Sequence, residues 1–357
     1  MPRLGIVGFA NTGKTTLFNA LTGLRAPTGP HVFTTLEPNL GIARVPDNDL
    51  DTLGRLERSA KVTHATLELL DLPAFTHPEE ATGPGGRFLH QLREMDGLII
   101  VLGAFHDQAV ASDSDARRQA EELLLELTVA DHDLLTRRAE RLAKEAGAEP
   151  PKRALASALA EAAEHVGRGH ALRTRTWATE AEGAFRDSPP LTLKPTVWVI
   201  NVDEGDTATS VALQAELLTV VPAGDVVVSL SARIEEEGAM LTETEREELF
   251  QELGLGEGAL ATVVKAAYHE LDLITFYTSG EKEARAWTVR RGAKAPEAAG
   301  RIHTDFERGF IRAEVATIGD VIAAGGWEEA RRAGRTRVEG KAYEVKPGDV
   351  LSVRFSV

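Results

Sequence analysis

The octapeptide GFANTGKT at residues 8–15 constrains this chain more than any other stretch. It follows the apolar run RLGIV and precedes TLFNALTG, so it reads as a loop between a strand and a helix that stops at Gly23. The G-x-x-x-x-G-K-[ST] spacing has a mechanical basis. Gly8 and Gly13 let the backbone wrap an anion, and the N–H groups that open the helix then face phosphate oxygens. Lys14 is placed to reach β- and γ-phosphates, and the Thr15 hydroxyl is placed to ligate Mg²⁺.

A chain that starts in this way predicts an α/β nucleotide-binding domain. Short apolar runs at 66–72 (TLELLDL), 96–105 (DGLIIVLGAF), 196–202 (TVWVINV) and 225–232 (DVVVSLSA), separated by helical stretches, fit buried parallel strands. Between Ala116 and Arg186 the pattern changes. Leu123, Leu127, Ala130 and Leu134 recur at helical spacing, as do Leu155, Leu159, Ala162 and Val166, with GAEPP between the two series. This predicts an antiparallel helical hairpin inserted into the sheet domain, with Pro189, Pro190 and Pro195 marking the return. From about Ile274 the chain reads as short strands, ARAWTV, FIRAEVATI, KAYEV and DVLSVRF, with a helix or helical turn at GRIHTDFERGF. A small α+β domain fits that texture. The expected division is therefore 1–115 with 190–273 for the sheet domain, 116–189 for the hairpin and 274–357 for the last domain.

Composition narrows the setting. The chain has 357 residues, 43% of them hydrophobic, enough for two or three cores. It has no cysteine, which excludes disulfides, thiolate nucleophiles and cysteine zinc sites and makes a reducing, cytoplasmic setting the expectation. The apolar stretch before Asn11 reads as too short for a leader, and GLIIVLGAF is too short to span a membrane, so no membrane partner is expected. The net charge of -15 argues against a whole-body positive field, and DNA is not an expected partner. Two segments run the other way. Residues 134–176 carry nine Lys/Arg against five Asp/Glu, and 283–357 carry fourteen against eleven. A polyanion could be met locally there while the remaining surface repels it.

The later motifs separate a switch-type hydrolase from a kinase. Thr34 or Thr35 in HVFTTLEPN lies where a loop could close over a γ-phosphate, and Asp71 ends a strand, the place for a carboxylate that holds Mg²⁺ through water. Asn201 and Glu204 follow at a strand end in WVINVDE, then Ser231 and Ala232 in SLSAR. That order resembles the five-motif G domain of translation-factor-like GTPases. The pieces GFANTGKTTLFNALTG, FTTLEPN, INVDE, AYHELDLITFYTSGEKEARAW, GRIHTDFERGFIRAEV and VEGKAYEVKPGDVLSVRF resemble the YchF or Obg-like ATPase family nearly from end to end. The last three resemble that family's C-terminal TGS domain, a ubiquitin-like β-grasp.

The resemblance implies a P-loop NTPase sheet with an inserted helical hairpin and a C-terminal TGS domain. It implies a monomer that binds ATP or GTP, hydrolyses it slowly with Mg²⁺, and acts on the ribosome or structured RNA. Carried over residue by residue, Asn11, Thr12, Gly13, Lys14, Thr15 and Thr16 line the phosphates, and Thr15 and Thr35 ligate the metal. Asn201, Val202, Glu204, Ser231 and Ala232 surround the base. Asn11 matches an asparagine that resembles a K⁺ ligand in related hydrolases; it could equally cap the loop by side-chain hydrogen bonding. Glu204 stands where a guanine reader has Asp, whose two oxygens accept from guanine N1–H and the N2 amino group. Adenine lacks both donors, and the extra methylene strains the guanine pairing, so ATP should bind at least as well as GTP.

Three departures from the family pattern bear on catalysis. Asp71-Leu72-Pro73-Ala74 replaces Asp-x-x-Gly, so Ala74 offers a stiffer γ-phosphate donor behind a fixed proline. The stretch FTHPEEATGPGGRF differs from the family's glycine-rich switch loop; no glutamine follows Asp71, and Phe75 fills the position after Ala74, which is hydrophobic in the family too. The loop after Phe105 is short, and His106 and His77 do not align with the family's candidate catalytic histidine. Lys14, Asp71 and Ala74 are thus the catalytic candidates. A nucleotide-binding scaffold with decayed hydrolysis is the alternative to a slow hydrolase.

Overall fold

The computed structural model describes residues 1–27, 38–75, 85–105, 115–147, 149–204, 207–253, 255 and 258–356. In chain order the elements are β1 (Arg3–Val7), α1 (Lys14–Thr22), β2 (Asn39–Arg44), α2 (Asn48–Leu56), β3 (Val62–Thr63), β4 (Thr66–Asp71), α3 (Gly85–Glu94), β5 (Gly97–Ala104), α4 (Ala116–Glu145), α5 (Pro150–Gly167), α6 (Thr179–Asp187), β6 (Thr196–Val202) and α7 (Thr207–Leu217). There follow β7 (Val226–Leu230), α8 (Ala232–Ala239), α9 (Glu243–Glu252), α10 (Leu260–Glu270), β8 (Leu273–Thr278), β9 (Ala284–Arg290), α11 (Ala295–Ile302), α12 (Thr304–Arg308), β10 (Phe310–Thr317), α13 (Ile318–Ala324), α14 (Trp327–Arg332), β11 (Arg337–Glu339) and β12 (Asp349–Phe355). The chain forms two compact units, Met1–Ala43 with Glu68–Val263, and Arg44–Leu67 with Val264–Val357.

The first unit is built on a six-stranded sheet in the order β2-β4-β1-β5-β6-β7. The β1–β4, β1–β5, β5–β6 and β6–β7 pairs are all parallel. Every residue of β6 is buried, as expected of a central strand covered on both faces. Val7, Leu98, Ile100, Leu102, Trp198 and Ile200 form its core with Leu123 and Leu127 of α4. Burying a Leu or Ile side chain of this kind stabilises the unit by about 2 kcal/mol.

The hairpin is present, with one correction of phase. Leu123 and Leu127 are buried against the sheet, but farther along α4 the buried positions are Leu135 and Ala139, which pack with Leu159, Ala162 and Val166 of α5; Leu134 is only half-buried. The thirty-residue helix meets two cores in succession, first the sheet and then its hairpin partner, so no single stripe describes it. The changeover lies at Asp131. This carboxylate is buried and accepts from the Leu191 N–H at 2.8 Å, the Thr192 N–H at 2.7 Å and the Thr192 hydroxyl at 2.8 Å.

The second unit carries a mixed six-stranded sheet in the order β11-β10-β12-β8-β9-β3. Its core includes Ile274, Phe276, Val289, Phe310, Val315 and Leu351. KAYEV, expected as a strand, is not one. Tyr343 N–H turns back to the Gly340 carbonyl at 3.1 Å, a single bridge joins Lys294 to Glu344, and the place beside β10 is taken by β11. Residues 44–67 were assigned to the first domain from the sequence, and the fold puts them in this unit. There β3 pairs parallel with β9, Asp47 accepts from the Tyr277 hydroxyl at 2.7 Å, and Glu57 accepts from the Trp327 N–H at 2.6 Å. The strand β2, an edge strand of the first sheet, was not anticipated either.

Because Asp131 satisfies two backbone N–H groups in a dry site, Asp131→Ala is expected to cost about 3 kcal/mol of stability. A fall in the urea midpoint at unchanged slope would show this. An unchanged midpoint would mean the return segment is held by packing alone.

Candidate functional site

Four strand ends of the first sheet converge at its carboxyl edge, the position where open α/β sheets bind ligands. β1 runs into the loop at 8–13, β4 ends in Asp71, β6 ends with Asn201 and Val202, and β7 leads to Ser231. Register fixes their mutual height, with Ile6 opposite Asp71, Gly103 opposite Asn201, and Asn201 opposite Leu230.

The phosphate loop depends on two glycines that nothing larger can replace. A Cβ on Gly8 would lie 2.3 Å from the Val101 carbonyl oxygen. Gly13 has φ 91°, and a Cβ there would lie 2.2 Å from Asn201 Nδ2. Asn11 adopts φ 61°, a left-handed conformation that asparagine tolerates, and its side chain makes no hydrogen bond among the described residues. Thr12 is buried, with its hydroxyl donating to the Phe9 carbonyl at 3.2 Å. Lys14 Nζ donates to the same carbonyl at 2.5 Å. Burial lowers the Lys14 pKa to about 8, against the opposing pull of Asp71. Thr16 is half-buried in the first turn of α1.

Asn201 joins the phosphate loop to the loop after β7. Its Nδ2 donates to the Thr12 carbonyl at 3.1 Å, and its Oδ1 accepts from the Ala232 N–H at 2.9 Å. The structure thereby brings Thr12, Gly13, Asn201 and Ala232 together, with Val202 buried beside them and Ser231 as the extended residue before α8. Glu204 is more than half exposed and pairs with Arg233 Nε at 3.6 Å, an ion pair of small energetic weight in solvent. Ala74 is half-buried between Pro73 and Phe75. Phe75 is tied back to the phosphate loop: its N–H donates to the Gly8 carbonyl at 2.9 Å and its ring meets Phe9 edge-on at 5.2 Å. Thr34, Thr35, His77 and His106 lie outside the described residues.

The metal chemistry expected at such a loop finds a suitable donor set. Thr15 Oγ1 donates to Asp71 Oδ2 at 2.8 Å, so hydroxyl and carboxylate face one point. Asp71 Oδ1 is buried and has no hydrogen-bond partner among the described residues, an acceptor whose desolvation they leave uncompensated. Among the described residues no three His, Asp or Glu side chains cluster, and Mg²⁺ needs none, since it takes one or two protein oxygens plus phosphates and water.

Three amide side chains to which the sequence motifs assign no role, although Asn19 and Asn39 lie within them, hold segments in and around the site. Asn39 donates to Asp71 Oδ2 at 3.2 Å. Gln119 of α4 clasps both backbone groups of Gly103, at 2.9 and 3.0 Å. Buried Asn19 holds the backbone of Ala26 and the carboxylate of Glu236. A lone amide in a sequence reads as a surface or turn residue, and only the fold shows what it faces.

The depressed Lys14 pKa gives a pH signature. The unfolded chain holds this proton up to pH 10.5, so burying the charge costs stability below about pH 8, and the cost is relieved as pH rises between these values. A polyphosphate beside the ammonium restores the charged form, so binding above about pH 8 takes up a proton and affinity falls about tenfold per pH unit. Calorimetry of ATP binding in two buffers of different ionisation enthalpy should show uptake approaching one proton at about pH 9 and little at about pH 7. No uptake at the higher pH would contradict the burial of Lys14.

Residues 3–134 match the MMR_HSR1 family, described as a 50S ribosome-binding GTPase, and residues 273–356 match the YchF-GTPase_C family, described as a protein of unknown function. The chain is 38% identical over 362 residues to the Ribosome-binding ATPase YchF of Escherichia coli O157:H7, covering 99% of both chains. It is 37% identical to the protein of the same name from Bacillus subtilis (strain 168), again over 99% of both chains. The structure of the Schizosaccharomyces pombe YchF GTPase superposes with a TM-score of 0.86 at 27% identity, covering 99% of this chain and 97% of that one. With full-length identity, both family models and the fold in agreement, the chain belongs to the YchF family.

Proposed function

We propose that this chain is a Mg²⁺-dependent P-loop NTPase that binds ATP at least as well as GTP, hydrolyses it slowly and works as a nucleotide switch on the ribosome. The observation that carries this reading is the Asn201 clasp, which ties the phosphate loop to the loop after β7. Residues 11–16 take the phosphates, with Lys14 as the neutralising charge once the triphosphate draws it from the Phe9 carbonyl. Val202, Ser231 and Ala232 would flank the base, and Glu204, one methylene longer than Asp, would strain the two-point pairing guanine requires. Relatives from two bacterial phyla are named ribosome-binding ATPases, which supports both the nucleotide and the partner.

Thr15 would hold the metal directly with Thr35, and Asp71 Oδ1 would accept from its water; Mg²⁺ there supplies positive charge at the β- and γ-oxygens. Asn11, with its amide uncommitted to the loop, is assigned to K⁺. Residues 134–176 of the hairpin, with nine Lys/Arg against five Asp/Glu, and the C-terminal TGS-type domain are assigned to ribosomal RNA. The reading places the protein in the cytoplasm.

Turnover is slow on this reading because the γ-phosphate sensor is stiff. Ala74 N–H must swing toward a third phosphate, yet Pro73 fixes one side and the Phe75–Gly8 hydrogen bond holds the other. A bias of about 1 kcal/mol corresponds to several-fold in rate. Single-turnover phosphate release with Mg²⁺ and K⁺ should therefore be slow in the wild type, several-fold faster in Ala74→Gly, and at background in Lys14→Ala. A wild-type rate no higher than that of Lys14→Ala would favour the nucleotide-binding scaffold instead.

A further inference from the structure

Asp71 presents two unequal oxygens, and the inequality has a structural cause. Oδ2 accepts from two donors on separate segments, Thr15 Oγ1 of α1 at 2.8 Å and Asn39 Nδ2 at the first residue of β2 at 3.2 Å. Oδ1 is buried and accepts from none of the described residues. A single hydrogen bond leaves a carboxylate free to rotate about its Cβ–Cγ bond, because that torsion is broad. Two donors converging on one oxygen from different directions fix the plane and leave the other oxygen's lone pairs pointing to a single place.

We propose that Asn39 is a positioning residue for the metal-binding carboxylate, holding Asp71 so that Oδ1 faces the water shell of a nucleotide-bound Mg²⁺. The inference rests on the nucleotide-binding reading above. Thr15 can serve the metal through an oxygen lone pair while its proton stays on Oδ2, but it sits on the loop-helix unit that would hold the phosphates and so is shared between two tasks. Asn39 supplies the second donor from β2, an edge strand hydrogen-bonded beside β4, whose last residue is Asp71. Its amide is a pure donor toward the carboxylate and brings no charge to compete for the cation. Partners that orient a metal's own ligands typically change metal affinity by about tenfold or more when lost, and Asn39, which orients a carboxylate that reaches the metal through water, belongs at the lower end of that range.

The test compares wild type, Asn39→Ala and Asn39→Leu, the last close to asparagine in shape but without the donor. Affinity for a fluorescent ATP analogue is measured in excess Mg²⁺ and in EDTA, with the melting temperature of the nucleotide-free protein recorded alongside. The Mg²⁺-dependent gain in affinity is expected to shrink about tenfold in both variants, with the EDTA affinity and melting temperature close to wild type. An undiminished gain in both variants would overturn this inference alone. Equal losses with Mg²⁺ and with EDTA would overturn it in favour of a general structural role for Asn39. A wild-type protein with no affinity for the analogue would overturn the nucleotide-binding reading, and this inference with it.

Discussion

The Asn201 side chain is the interaction on which the site depends. Its amide spans the gap between the Thr12 carbonyl and the Ala232 N–H, two backbone groups far apart in sequence. A buried backbone group left unpaired costs about 1–3 kcal/mol, so the clasp is specified as strongly by the cost of breaking it as by its own strength. It forms only because Gly13 lacks a Cβ at the point where Nδ2 approaches. It is aimed correctly because β6, buried along its whole length, leaves no freedom in where its end emerges. A glycine, an asparagine and a strand of seven buried residues thus set the distance between the phosphate loop and the loop after β7.

The helical hairpin is joined to the same frame through α4. Gln119 takes both backbone groups of Gly103, where a Cβ would lie 3.5 Å from the Cα of Thr12 in the phosphate loop. One turn beyond Leu127, Asp131 secures the segment that returns to β6. Lys194, in that return, donates to the Arg93 carbonyl at 3.0 Å and to the Met95 carbonyl, satisfying groups at the end of α3. Burial lowers its pKa to about 8, so the ammonium is held there by carbonyl dipoles with Asp96 and Asp131 opposing the loss of charge. The helix that follows the segment 76–84 and the root of the hairpin are therefore parts of one hydrogen-bonded assembly.

The sequence was most legible where a single environment acts along a whole element. The β6 run matched its strand at both ends, and the phosphate loop, Asp71, Asn201 and Ala232 occupy the strand ends expected of them. Legibility fell where environment changes within an element or depends on distant chain. The buried face of α4 moves at Asp131, so a stripe extrapolated from Leu127 lands on half-buried Leu134 instead of Leu135. KAYEV has a strand's composition, but Gly340 turns the chain into it, and pairing beside β10 goes to β11. Residues 44–67 carry no pattern of their own that assigns them to the second unit; Asp47, Glu57 and β3 acquire partners only there. Asn39, although it closes FTTLEPN, and Gln119 have no legible role in the sequence for the same reason, since an amide shows its role through what it faces. Glu204 was read from its reach alone, and its pairing with Arg233 adds a neighbour that reach could not reveal.

The central claim is that the clasped site admits adenine because Glu204 cannot make the two-point contact with guanine. Titrating ATP and GTP side by side into wild type and Glu204→Asp tests it most directly. Wild type is expected to bind ATP at least as tightly as GTP, and the shorter carboxylate to move the ratio toward GTP by about tenfold, the scale of one recovered polar pairing. A wild-type protein that strongly prefers GTP, or a ratio unmoved by Glu204→Asp, would contradict it.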